Sequence, residues 1–274
     1  SFFFYNEAMK EKKVTIKDIA REAGVSIATV SYIINDRKDQ QISPETKNKV
    51  LQVINLLNYT PNKAAKSLVT KQTQTIALYC AQANSVLEKA EQLNFIQHLV
   101  AYFHTKNYNL IYLDNHSIQK YDMVDAILTL GVDKQSFYQI GELNFVPVIA
   151  IDSLIDDPVF FQINLDWQYI ANELNDYYQN DSYTLVSLPI YNKELKTYLT
   201  TLFEHIYWLE QTDVFAIPSD KHLVTVNQTI KDYYAHSEQM KLVTKFSDTF
   251  YDKLFQAINW AIHREQIENH NILV

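Results

Sequence analysis

Eight histidines, one cysteine and 32 aspartates and glutamates carry the side chains of metal and acid–base chemistry, so their spacing comes first. His98 and His104 have no nearby acid or cysteine at a ligand spacing. His263 and His270 could fall on one helix face, for which a solvated face is the simpler reading. No glycine-rich phosphate loop and no nucleophile elbow occurs. The lone Cys80 excludes an intramolecular disulfide framework and a cysteine-rich zinc site. The expectation is a chain with no catalytic residue, no metal and no cofactor. Charge is the chemistry that remains, and it is unevenly placed. The formal net charge is -8, yet residues 9–71 hold 12 Lys+Arg against 6 Asp+Glu, while residues 72–274 hold 12 against 25. A basic head on an acidic body is the asymmetry expected where only one end meets phosphate.

The elements that position this charge are legible in the head. Val14 to Asn35 reads as two short helices around a tight turn. Thr15 caps the first, with Asp18 reaching back in a capping box. Ile16, Ile19, Ala20 and Ala23 form one apolar stripe. Gly24 ends the helix where a left-handed residue is needed. Ser26 caps the second helix, whose inward positions are Val30, Ile33 and Ile34. Helix, glycine turn, helix is the helix-turn-helix pattern. Ser43-Pro44-Glu45 starts a third helix that runs to about Leu57 and buries Val50, Val53, Ile54 and Leu57. Tyr59-Thr60-Pro61-Asn62 breaks it, and Asn62 can cap one more short helix, Lys63 to Val69, too poor in apolar residues to be stable alone.

From Thr75 the pattern changes. Apolar runs at 76–79, 110–113, 146–151, 183–188 and 214–217 read as buried strands, with helix-like stretches such as 93–104 between them. That alternation implies a parallel sheet with helices on both faces. No run of about 18 apolar residues suggests a membrane span. Residues 1–5 are too short for a signal peptide and lack a basic start, and residues 1–8, ahead of Met9, read as either an upstream extension or a non-native scar. A cytoplasmic protein is expected.

The head resembles that of the lactose/galactose-repressor (LacI/GalR) family. The matching residues are Val14 to Ala20, Ala23 to Ser26, Ala28 to Ser31, Asn35, Ser43, Thr46, Val50, Leu57 to Tyr59, Pro61, Asn62, Ala65, Ser67 and Leu68. In the body, Thr75 to Leu78, Val124 to Leu128, Pro147 to Asp152, Asn164 to Asp166 and Val214 to Asp220 are similar to family segments in register. The resemblance implies an α/β chain in three parts. A helix-turn-helix head that is all α-helical spans 13–60, and a hinge helix spans 61–71. A two-lobed parallel α/β body, like a periplasmic binding protein, spans 72–274, its lobes meeting near residue 164.

The resemblance also implies roles. The second helix would lie in the DNA major groove, with Ile27, Ala28, Ser31, Tyr32 and Asn35 toward base edges and Thr15, Ser26 and Thr29 as further DNA contacts. Many relatives have an arginine where this chain has Tyr32, which implies a different operator, richer in A·T at that position. In the hinge, Asn62, Lys63, Ala65 and Lys66 would contact the minor groove and Leu68 would wedge between base pairs. Asp152, Ser219 and Asp220 match effector-cleft positions, and Asp166 and Trp167 are softer candidates. The alternatives are that Asp152 and Asp166 are helix caps or loop acids and that Trp167 is core or dimer interface. The chain departs from the family by being short after Leu188 and after Tyr234. The first gap removes the stretch where relatives place an effector-gripping arginine, and Arg264 is the body's only arginine. The implied function is a homodimeric repressor on double-stranded operator DNA, under a sugar-like small-molecule effector and without a membrane partner. The alternative is a DNA-binding dimer that is ligand-blind or answers a protein partner through a degenerate sensor.

Overall fold

The computed structural model describes residues 14–35, 37, 39–57, 59, 72–113, 118–121, 123–179, 181–210, 222–234 and 240–274. The expected hinge helix and the expected strand at 214–217 lie outside these residues. The chain divides into two compact units, residues 1–71 and residues 72–274.

The first unit holds α1 (Ile16–Ala23), α2 (Ile27–Ile34) and α3 (Pro44–Leu56). Local chemistry fixes their ends. The Thr15 backbone N–H and hydroxyl both donate to Asp18 Oδ2, at 2.9 and 2.7 Å. Gly24 turns the chain at φ +66°, a conformation that side chains with a Cβ adopt at a cost. The Ser26 and Ser43 hydroxyls accept the N–H groups of Thr29 and Thr46 at 3.0 and 3.2 Å, satisfying donors that a helix start leaves open. Ile19, Ala20, Ala23, Val30, Ile33 and Val50 are buried together, and Ile34, Val53, Ile54 and Leu57 pack half-buried around them.

The second unit opens with β1 (Thr75–Cys80), α4 (Val86–Thr105), β2 (Asn109–Tyr112), β3 (Ala126–Leu130), α5 (Lys134–Leu143), β4 (Val148–Ile151) and β5 (Gln162–Asn164). It continues with α6 (Trp167–Tyr177), β6 (Thr184–Ser187), α7 (Lys193–Leu202), β7 (Ile206–Trp208), β8 (Leu223–Thr225), α8 (Gln228–Tyr233) and β9 (Met240–Leu242). It closes with α9 (Asp248–His263) and β10 (Asn271–Leu273). One sheet runs β10-β5-β4-β3-β1-β2 and the other β7-β6-β8-β9, with every pair parallel. Each sheet centres one lobe. The chain passes to the second lobe after Asn164 and returns between Leu242 and Asp248.

Burial on both faces explains why the strands read as continuous apolar runs. On β1, Ile76, Leu78 and Cys80 meet α4 and α9 through Phe95, Leu99, Phe103, Phe250 and Leu254. The alternate residues Ala77 and Tyr79 face Phe137 and Ile140 of α5 on the other side. With only 3 glycines in the chain, other residues take left-handed turns. They include Asn107 (φ +61°), Asp152 (φ +54°) and Arg264 (φ +56°). Arg264 ends α9 directly after His263, so His263 and His270 do not share a helix face. Among the described residues, no helix is long and apolar enough to cross a membrane, and no group of three His, Cys, Asp or Glu is placed to hold a metal ion.

Candidate functional site

The head presents one face of α2. Val30 and Ile33 turn inward, while Ile27 is 46% exposed, Ala28 and Asn35 are exposed, and Ser31 and Tyr32 are half-buried. The polar groups on this face are held in place. The Ser26 and Thr29 hydroxyls share a hydrogen bond of 2.8 Å, and Asn35 Nδ2 donates to the Ser31 carbonyl at 2.8 Å. A helix with a small, exposed first turn and fixed polar side chains has the shape of a major-groove reader.

A residue that sequence reasoning passed over stands beside this face. The Arg37 N–H donates to the Tyr32 carbonyl at 3.0 Å, folding the chain back over the end of α2. Its guanidinium carbon lies 5.9 Å from the centre of the Tyr32 ring. Asp39 takes the guanidinium bidentately, Nε to Oδ1 at 2.7 Å and Nη2 to Oδ2 at 2.6 Å. That hydrogen-bonded pairing holds the Asp39 carboxyl well below the usual carboxylate range and raises Arg37 further.

The body's candidate site is the cleft between its lobes. Ala81, Gly131 and Asp152, at the carboxyl ends of β1, β3 and β4, face Leu188, Tyr191 and Asn227 of the second lobe. Ligands of open α/β sheets bind at such ends. The free space is about 80 Å³, beyond the roughly 10–15 Å³ that one water requires. Carboxylates of α4 bridge the lobes. Glu91 accepts hydrogen bonds from the N–H groups of Gln228 and Thr229 at 3.3 and 2.9 Å, from Asn227 Nδ2 at 3.3 Å and from the Thr229 hydroxyl at 2.7 Å. It thereby caps α8 from the other lobe. The Tyr191 hydroxyl donates to Glu88 at 2.7 Å. Asp152 Oδ2 pairs with Lys245, whereas the buried Oδ1 has no hydrogen-bond partner. A left-handed backbone and an unpaired buried oxygen together mark Asp152 as a position held for something other than stability.

The other effector candidates fall elsewhere. Asp166 is a helix cap, its carboxylate accepting the Tyr169 N–H at 3.0 Å. Trp167 is only 2% exposed and meets Phe203 edge-on at 6.1 Å inside the second lobe's core, so its ring offers no face to a cleft ligand. Ser219 and Asp220, with the hinge residues Asn62, Lys63, Ala65, Lys66 and Leu68, lie outside the described residues. Ser85 and Glu88 bond as a capping box at the start of α4, and their Ser-x-x-Glu spacing is a signal that could have placed that start seven residues ahead of the stretch read from sequence. Nothing local foretold the reach of Glu88 and Glu91 across the cleft.

Among the described residues, the first unit is three helices in a helix-turn-helix arrangement and the second is a two-lobed parallel α/β body like that of a periplasmic binding protein. Residues 15–62 match the model for bacterial regulatory proteins, lacI family. Catabolite control protein A of Staphylococcus epidermidis is 31% identical over 173 residues, 60% of this chain and 51% of that protein. The HTH-type transcriptional regulator pepR1 of Lactobacillus delbrueckii subsp. lactis is 25% identical over 236 residues, 82% of this chain and 67% of that protein. The matched region thus spans about half the length of the catabolite control protein. A crystal structure of the lac repressor dimer bound to operator and the anti-inducer ONPF shares the fold, with a TM-score of 0.56, 16% identity and 96% of each chain covered.

Proposed function

We propose that this chain is a sequence-specific DNA-binding transcriptional regulator, a repressor that works in the cytoplasm as a homodimer on double-stranded operator DNA and answers a sugar-like effector. The observation that carries the reading is the exposed, doubly capped face of α2 inside the segment that matches the lacI family. The reading gives the chain no catalytic role. Residues 13–60 read DNA, 61–71 form the hinge and 72–274 hold the effector and the dimer contact. Ile27, Ala28, Ser31, Tyr32 and Asn35 face base edges, while Thr15, Ser26 and Thr29 position the helix. Asn62, Lys63, Ala65 and Lys66 follow the minor groove, and Leu68 is the wedge. Asp152, with Ser219 and Asp220, receives effector hydroxyls, which a carboxylate oxygen accepts in fixed geometry.

Selection of bound sequences from a random DNA pool at two salt concentrations tests this. A two-fold symmetric site with a flexible central step is the expected product. Binding without a consensus that vanishes at moderate salt would leave only phosphate contacts and end the reading. A second reading, a ligand-blind or partner-regulated dimer, is favoured by the bonds of Glu88, Glu91 and Lys245 that already occupy the cleft. A thermal-shift panel of sugars and nucleosides separates the two. A ligand that shifts melting and alters operator affinity supports the first, and a silent panel supports the second.

A further inference from the structure

We propose that Arg37 is the guanine-reading residue of the head, its guanidinium aimed by Asp39 and by the ring of Tyr32. The inference rests on the operator-binding reading and deepens it. The chain has three arginines, Arg21, Arg37 and Arg264. Arg264 lies in the body, and Arg21, on α1, pairs with Asp18 and Glu22 at 3.3 and 3.6 Å. Arg37 alone stands at the end of the reading helix, tied there by its N–H to the Tyr32 carbonyl.

The geometry selects the ligand. A guanidinium carries five N–H donors in a plane. Asp39 engages Nε and one hydrogen of Nη2, and Gln40 Nε2 steadies that carboxylate at 3.3 Å. The free edge is the pair of terminal amines, two parallel donors. In the major groove guanine offers two adjacent acceptors, O6 and N7, whereas adenine offers one acceptor beside a donor. Two parallel donors therefore fit guanine and only half-fit adenine. Asp39 also argues against a plain phosphate contact, because it cancels the charge that phosphate would reward but leaves the direction of the donors intact. Tyr32, which cannot make a bidentate contact itself, supplies the ring against which the guanidinium rests.

The test is random-pool selection with the full chain, unaltered and as Arg37→Lys and Asp39→Asn, with operator affinity measured against salt. The expected wild-type motif has one guanine column in each half-site, next to the step that Tyr32 meets. Replacing that guanine should weaken binding roughly tenfold to a hundredfold. Arg37→Lys keeps the charge and loses the fork, so it should flatten that column alone and leave the salt slope unchanged. Asp39→Asn should weaken the same column. Both residues are more than half exposed, so the melting of the head should not move. A guanine column that survives Arg37→Lys overturns the inference and leaves operator reading standing. A wild-type pool with no enriched motif overturns both.

Discussion

Cys80 shows what burial does to a single residue. It ends β1 with no exposed surface, and desolvation pushes its thiol up to about 12. The thiolate is the reactive species, so the native chain should resist iodoacetamide at pH 8, while the denatured chain labels quickly. Rapid native labelling would mean that the inner face of β1 is open. The pH effect has a definite sign. Below about 8.5 the thiol is protonated folded or unfolded and shifts nothing. Above it the unfolded chain releases the proton first, so Cys80 favours unfolding increasingly as pH rises toward 12. Residue-scale roles were only partly legible in the sequence. Asp152 stood out by its match to a cleft position, but its partner Lys245 is 93 positions away. Arg37 sat in a polar stretch with no periodicity to single it out, and its role rests on a fold-back that only the folded backbone displays.

At the scale of elements, what is local was readable. Thr15, Gly24, Ser26 and Ser43 act within three residues of themselves, and the helix ends they announce are where the chain places them. Ser26→Ala should therefore cost the head about 1 kcal/mol. Gly24→Ala should cost roughly 1–2 kcal/mol through its left-handed backbone. Crowding adds little there, since an added Cβ would meet only the Lys49 amine at 3.8 Å. All three tryptophans belong to residues 72–274, so tryptophan emission reports the body alone. In urea titrations both variants should move the helical circular dichroism of the head and leave the emission midpoint in place. A common shift of both signals would mean that the head does not unfold as its own unit. The strands not read from sequence were the five-residue β3, whose apolar run was matched only as a family segment, and β5, β7, β8, β9 and β10, each three residues long. The three-residue segments are too short to show a period, and they exist as strands only because distant partners pair with them. β10 depends on β5, through Ile272 against Ile163.

For the molecule as a whole, the two readings of the body turn on what holds its lobes. The helix α8 has six residues, too few to be stable by itself, and Glu91 supplies the cap that its own N-cap Asn227 does not. Glu91→Ala would leave the N–H groups of Gln228 and Thr229 without that partner and remove a charge from the positive end of the helix. The expected loss is about 2 kcal/mol, the scale of hydrogen bonds to a charged group. In a body of this size that lowers the midpoint of tryptophan-monitored melting by roughly 4–8 °C. An unchanged midpoint would mean that the lobes are held by apolar packing and that Glu91 is incidental. Operator affinity then decides between the readings. An effector can act only through states that it binds unequally, and the arrangement of the lobes is the state that Glu91 biases. If the body governs the head, loosening the lobes without any ligand must change operator affinity. If Glu91→Ala lowers the melting of the body and leaves operator affinity untouched, the lobes do not control DNA binding, and the ligand-blind dimer becomes the correct account of this chain.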